Sequence, residues 1–124
     1  MAQIEIPKPW RETVCAILAS GEKSLIHWDL LGRIRYEATP GCHWTYEAQD
    51  AFTDFLSLPN PTGCRVLTME TPGETYDFFF QFKGQKFYGK ILLRPDRKRI
   101  IIYSAHLPLK QKLFCEMDDA NDRT

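Results

Sequence analysis

The chain of 124 residues contains no apolar run approaching the roughly 20 residues that a membrane helix requires. Its opening, Met1 to Pro7, lacks a basic stretch followed by an apolar one, so no secretory signal is expected and the protein is expected in the cytoplasm. Cysteine is sparse and scattered. Cys15, Cys42, Cys64 and Cys115 include no closely spaced pair of the zinc or redox kind, and the spacing predicts four reduced, mostly buried thiols. A glycine-rich phosphate loop, a Gly-x-Ser-x-Gly turn and a zinc-protease motif are all missing, which excludes the commonest signatures of nucleotide, acyl and metallopeptide chemistry. Net charge is missing too: 16 Lys and Arg balance 16 Asp and Glu. No repeat or low-complexity tract breaks the chain.

What is present is an ordinary globular composition, 44% hydrophobic and 26% charged, long enough for one core. A single α+β domain is expected over 1–115, with 116–124 as an acidic, flexible tail. Pro9 to Ser20 reads as a helix with Trp10, Val14, Ile17 and Leu18 on one face and Gly21 as its stop. A short second helix after Asp29 would turn Leu30, Leu31 and Ile34 inward. Thr45 reads as the cap of a third helix ending near Leu58, with Ala48, Phe52, Phe55 and Leu56 inside. Beyond Gly63 the pattern changes to alternation. Strands are expected over 64–70, 75–82, 85–94 and 98–106, with turns at Pro72–Gly73, Lys83–Gly84 and Pro95–Asp96. Residues 107–115 extend the last strand or form a short helix. The expected fold is therefore two to three N-terminal helices packed on one face of a four-stranded antiparallel meander.

The zero net charge conceals an asymmetry. From Lys83 to Lys112 nine basic residues meet a single acid, Asp96, a local charge of 9 − 1 = +8. Period two puts Tyr88, Lys90, Leu92 and Arg94 on one face of the third strand and Phe87, Gly89, Ile91 and Leu93 on the other. On the fourth strand Arg99, Ile101 and Tyr103 share one face, and Ile100, Ile102, Ser104 and His106 the other. Which set lies beside Tyr88 and Lys90 depends on register. Tyr, Lys and Arg in a row suit a polyanion, since Tyr stacks on a base while Lys and Arg bind phosphate oxygens. His106, at a strand end, suits acid–base work. The same cations also serve simply to keep a sheet soluble. His27 reads as half-buried packing, His43 beside Cys42 as half of an uncompleted metal site, and Glu47, Asp50 and Asp54 as the solvated face of a helix.

Helices followed by a four-stranded antiparallel meander resemble the RelE/ParE superfamily of small toxins, within the barnase–EndoU–colicin–RelE group of ribonucleases. Gly84-Gln85-Lys86-Phe87-Tyr88-Gly89-Lys90-Ile91 is similar to the glycine-x-x-tyrosine-x-lysine strand of MqsR-type toxins. Ile100 to His106 resembles the closing hydrophobic strand that ends in a catalytic His or Tyr in several members. The resemblance implies a metal-independent endoribonuclease, with no cofactor, in which the substrate's 2′-hydroxyl attacks the phosphate. It implies Lys90 and Arg94 as phosphate stabilisers, Tyr88 or Tyr103 as substrate-orienting groups and His106 as acid or base, so that His106, Lys90, Arg94 and Tyr103 form the catalytic set. Tyr88, Lys86, Arg97 and Arg99 complete the binding surface. The implied partners are RNA, with the ribosome as one setting, and a cognate antitoxin or other protein covering the basic hairpin. No membrane partner is implied. The acidic tail is expected to fold over the hairpin and compete with RNA.

Two other classes remain open. One is a non-catalytic interaction module of the same shape, an adaptor or immunity-type protein, which would use exposed aromatics such as Trp44 or Phe79. The other, a metal-dependent DNA nuclease, ranks below both because Asp77 is the only acid in the central strands, a poor magnesium site.

Overall fold

The computed structural model describes residues 2–117 and contains three helices and one six-stranded mixed sheet. In chain order the elements are β1 (Ile4–Glu5), α1 (Lys8–Ser20), β2 (Ile26–Trp28), α2 (Leu30–Ala38), α3 (Thr45–Leu56), β3 (Thr62–Val66), β4 (Glu74–Phe82), β5 (Gln85–Leu93) and β6 (Ile100–His106). The α+β class follows the sequence pattern, but the order of helices before sheet holds only for β3 to β6, since β1 precedes α1 and β2 lies between α1 and α2. The sheet is larger than four strands. Strands β3 to β6 pair antiparallel in sequence order, β1 adds antiparallel to β3, and β2 adds parallel to β6. Two- and three-residue strands are too short to leave a period in the sequence, which is why both escape it.

Strand β4 decides where the core lies. Tyr76, Phe78, Phe80 and Phe82 all point to one face and are buried there with Phe87, Ile91, Ile100 and Ile102. Helix α3 lays Phe52 against Phe78 and Phe80, at ring distances of 5.8 and 4.8 Å. In α1, Trp10 meets Tyr76 edge-on at 5.0 Å and donates its indole N–H to the Glu74 carbonyl. The buried Arg11 guanidinium joins α1 to the end of α3. It donates to the carbonyls of Ile6, Leu56 and Leu58, which satisfies orphan C=O groups with a cation where a helix C-terminus favours one. Gly21 ends α1 in the left-handed conformation at φ 65°.

Helix α2 differs from its expected orientation. Leu30, Leu31 and Ile34 face outward, and the buried positions are Gly32 and Tyr36. The cause is a close approach. Gly32 abuts the backbone of β6 at Tyr103, where a Cβ would collide with the carbonyl, so the glycine face must turn inward. Asp29 caps α2 by accepting from the Gly32 N–H. Thr45 is the first residue of α3 rather than its cap; that position falls to Trp44, whose side chain makes no capping bond. The expected strand over 64–70 stops at Val66, and 67–73 is a loop. Lys83 and Gly84 both adopt positive φ, 51° and 77°, giving the tight β4–β5 hairpin.

The expectation of four reduced thiols is also corrected. Cys64 on β3 and Cys115, 51 residues apart in sequence, have Cα atoms 5.3 Å apart and form a disulfide, while Cys15 and Cys42 remain free. Sequence spacing cannot reveal a pair that only the fold brings together. The bond anchors the segment after β6, which is neither strand nor a regular helix. It crosses the sheet face opposite the aromatic core, where the Phe114 N–H meets Asp77, and ends in one 3-10 turn, Phe114–Glu116. Glu116 and Met117, grouped by composition with the acidic tail, belong to this crossing. Glu116 accepts from the Leu113 N–H and the Gln3 side-chain amide. Residues 118–124, the remainder of that tail, lie outside the described residues. Among the described residues no helix is long and apolar enough to cross a membrane.

Candidate anion-binding site

The second face of the sheet gathers the polar and titratable side chains, and a β-bulge brings them together. Along β5–β6 the register runs Leu93↔Ile100, Leu92↔Ile101 and Ile91↔Ile102, then resumes at Lys90↔Ser104, Gly89↔Ala105 and Tyr88↔His106. Tyr103 is the extra residue. Simple alternation keeps Ile100, Ile102, Ser104 and His106 on one face. The bulge instead sends Ile100 and Ile102 into the core and turns Ser104 and His106 to the opposite face, beside Lys90 and Tyr88. A one-residue insertion thus places an imidazole next to a tyrosine and a lysine.

Asp77, on the neighbouring strand β4, lies opposite Lys90 in register and is almost fully buried. Its Oδ2 accepts from the Tyr88 hydroxyl at 2.8 Å and from the Phe114 N–H at 2.9 Å. Its Oδ1 has no hydrogen-bond partner among the described residues. Burial pushes the Asp77 carboxyl above its ordinary range, with the Tyr88 hydroxyl, the Phe114 amide and the Lys90 charge pulling the other way. Tyr88 is driven far up by burial and by the adjacent carboxylate, so its hydroxyl stays protonated and donates to Asp77. The Tyr88 ring packs at 5.5 Å from the His106 ring, and the His106 Nδ1 is 2.8 Å from the Leu107 carbonyl. With Nδ1–H donating to that carbonyl, Nε2 is the nitrogen left to accept a proton.

Around these groups lies a half-open cavity of about 200 Å³. Tyr88, Lys90, Ser104 and His106 form its floor, Arg35 of α2 its side, and Leu109, Lys110, Lys112 and Met117 the wall crossing from the C-terminal segment. Four cationic side chains thus converge on one cavity, and among the described residues no carboxylate lines it. Such a lining suits an anion with several oxygens, because each ammonium or guanidinium can donate to a separate oxygen in a site partly shielded from water.

The remaining expected residues go elsewhere. Tyr103 donates to the Thr71 hydroxyl at 3.3 Å, with Lys90 Nζ 5.8 Å from its ring, and is not among the residues lining the cavity. Lys86 lies over the Phe79 ring at 4.4 Å. Arg94, one residue past the end of β5, stands six residues from Tyr88, about 20 Å at strand rise. With Arg99 and His27 it lines a separate half-open cavity of about 380 Å³. Arg99 pairs with Asp96 at 3.0 Å, and Arg97 pairs with Glu74 at 3.2 Å while donating to Pro9 and Thr13. The hairpin's basic residues therefore divide between its two ends. Lys90, Tyr88 and His106 come together; Arg94, Arg97 and Arg99 do not join them. Arg35, Lys110 and Lys112 take their place. The two lysines belong to the basic run visible in the sequence, whereas nothing in the α2 sequence marks Arg35.

Near His43 no ligand set completes a metal site: among the described residues no three His, Cys, Asp or Glu side chains cluster to hold an ion. No protein-family model, curated protein or solved structure matches this chain.

Proposed function

We propose that the protein binds single-stranded RNA in the cavity between β5, β6 and the 107–117 segment, and cleaves it without a metal by attack of the substrate's own 2′-hydroxyl. The observation that carries this reading is the set of Arg35, Lys90, Lys110 and Lys112 around His106, in a cavity that no carboxylate lines among the described residues. In this reading His106 Nε2 takes the 2′-hydroxyl proton. The oxygen attacks the adjacent phosphorus, and Lys90 with Arg35 and Lys112 neutralises the crowded phosphorane. The 5′-oxygen leaves with a proton from an ammonium of the same cluster, giving a 2′,3′-cyclic phosphate and a 5′-hydroxyl. Tyr88 acts as a positioning residue: its hydroxyl is committed to Asp77, and its ring sets the His106 plane. The wider setting suggested by the RelE/ParE resemblance, a cytoplasmic toxin silenced by an antitoxin over this cavity, depends on this activity.

Binding of a fluorescently labelled RNA oligonucleotide, measured across a salt series in the presence of a chelator, tests the site. Lys90→Gln and Lys112→Gln are each expected to reduce the slope of log affinity against log salt by about 0.7. Arg94→Ala, at the other end of the hairpin, should leave it unchanged. Equal losses at Lys90 and Arg94 would reject the cavity as the binding site.

A second reading, a protein-interaction module, draws on one observation. Leu30, Leu31 and Ile34 of α2 are 73%, 53% and 53% exposed, an apolar stripe with no partner among the described residues. Substituting Leu31→Glu and Ile34→Glu separates the two readings, since RNA affinity should not respond.

A further inference from the structure

We propose that the Cys64–Cys115 disulfide is a redox clasp on the cavity: the oxidised protein holds the 107–117 segment in place as the cationic wall, and reduction withdraws Lys110 and Lys112 from the site. The proposal rests on the reading of the cavity as a phosphate-binding site and adds its regulation.

The wall has few other fastenings. Leu113 is fully buried, the Phe114 N–H reaches Asp77, and Glu116 bonds the Leu113 N–H and the Gln3 amide. The bond to Asp77 is a single backbone amide contact of 2.9 Å to an oxygen that also accepts from the Tyr88 hydroxyl. The Glu116 contacts are half-exposed and open to competition from water. Beyond its peptide link to β6, the segment is tied covalently to the sheet by the bond from Cys115 to Cys64, on the paired strand β3. Because the wall contributes Leu109, Lys110, Lys112 and Met117, loosening it removes two of the four cations while β5 and β6 keep Lys90, Tyr88 and His106 in register.

The accessible sulfur is that of Cys115, which is half-buried, whereas Cys64 is fully enclosed. A dithiol reductant supplies the electrons. Its thiolate attacks Cys115 Sγ, the S–S bond breaks, and Cys64 Sγ leaves with the electron pair and takes up a proton. The reductant's second thiol, after losing its proton, then displaces Cys115. The protein ends with two thiols and the reductant as a cyclic disulfide.

Two measurements on the full chain, with and without dithiothreitol, test this. Hydrogen exchange should accelerate in 107–117 on reduction, while β4, β5 and β6 stay protected. The same pattern should hold in Cys115→Ser without reductant, and Cys42→Ser should behave as wild type. In parallel, the salt slope for a labelled RNA oligonucleotide should fall by about 1.4 on reduction, the loss of two phosphate contacts. Unchanged exchange in 107–117 would overturn the clasp, and so would loss of protection throughout the sheet, which would make the disulfide a staple of the whole fold. If exchange responds as expected but RNA binds in neither state, the clasp stands and the reading of the cavity's ligand fails.

Discussion

Gly89, in the middle of β5, gives the sharpest test of the packing that positions the site. A Cβ at this position would lie 2.8 Å from Phe52 Cε1, 2.8 Å from Phe78 Cε1 and 3.1 Å from Phe80 Cε1. All three rings are essentially fully buried, so none can swing into solvent. Adding one methyl group to such a site costs about 1–3 kcal/mol through forced displacement. Removing a strand glycine returns about 0.5–1 kcal/mol through the unfolded chain. The difference leaves Gly89→Ala destabilised by about 1.5 kcal/mol. With a urea slope of about 1.5 kcal/mol/M for a domain of this size, the denaturation midpoint should fall by about 1 M. Phe52→Leu removes the clashing ring edge. In the double variant the two losses should therefore be less than additive, by about 1 kcal/mol. A Gly89→Ala midpoint equal to or above wild type would refute the reasoning, because that is the behaviour of a strand glycine facing open space.

Other expectations concern the second face. Cys115→Ser should lower the stability of the sheet by well under the roughly 4 kcal/mol that the loop-entropy account gives for a 51-residue separation, because the released 107–117 segment also gains freedom in the folded state, and wild type in reductant should unfold at the same urea concentration as the variant. Asp77 has a carboxyl raised by burial, so the folded state holds its proton more tightly than the unfolded one. Its contribution to stability is then greatest below the ordinary carboxyl value of 3.8 and is lost as pH rises through the raised folded value. Asp77→Asn keeps an acceptor for Tyr88 and Phe114 and should flatten that slope in urea midpoints measured across the acid range. Lys90→Gln should slow RNA cleavage by about a hundredfold, as for the loss of one transition-state donor, with an unchanged urea midpoint.

The fold was legible where long periodic segments carry it. The Trp10–Leu18 face of α1, the Phe52 face of α3 and the alternating aromatics of β4 each repeat often enough to declare both element and orientation. Helix α2 misleads for a physical reason: its apolar residues face out because a backbone contact at Tyr103 demands glycine on the inside. Periodicity measures hydrophobicity and does not register close approach. The site was half legible. Tyr88 and Lys90 share a face by simple alternation, but His106 reaches them only through the extra residue at Tyr103, and no pattern in Ile100–His106 announces a bulge. The charge run was equally ambiguous. It is one segment in sequence and two ends of a hairpin in space, with Arg97 and Arg99 consumed by Glu74 and Asp96. Cys115 and Arg35 enter through long-range packing alone.

The central claim is metal-free RNA cleavage in the cavity of Lys90 and His106, and the chemistry of the product ends tests it most directly. Purified wild-type protein, incubated with a defined single-stranded RNA in excess chelator, should yield fragments with 2′,3′-cyclic phosphates and 5′-hydroxyls. His106→Ala should abolish them, Lys90→Gln should reduce them about a hundredfold, and Arg94→Ala should leave them intact. Intact RNA with the wild type, or the same cleavage with His106→Ala, would contradict the account.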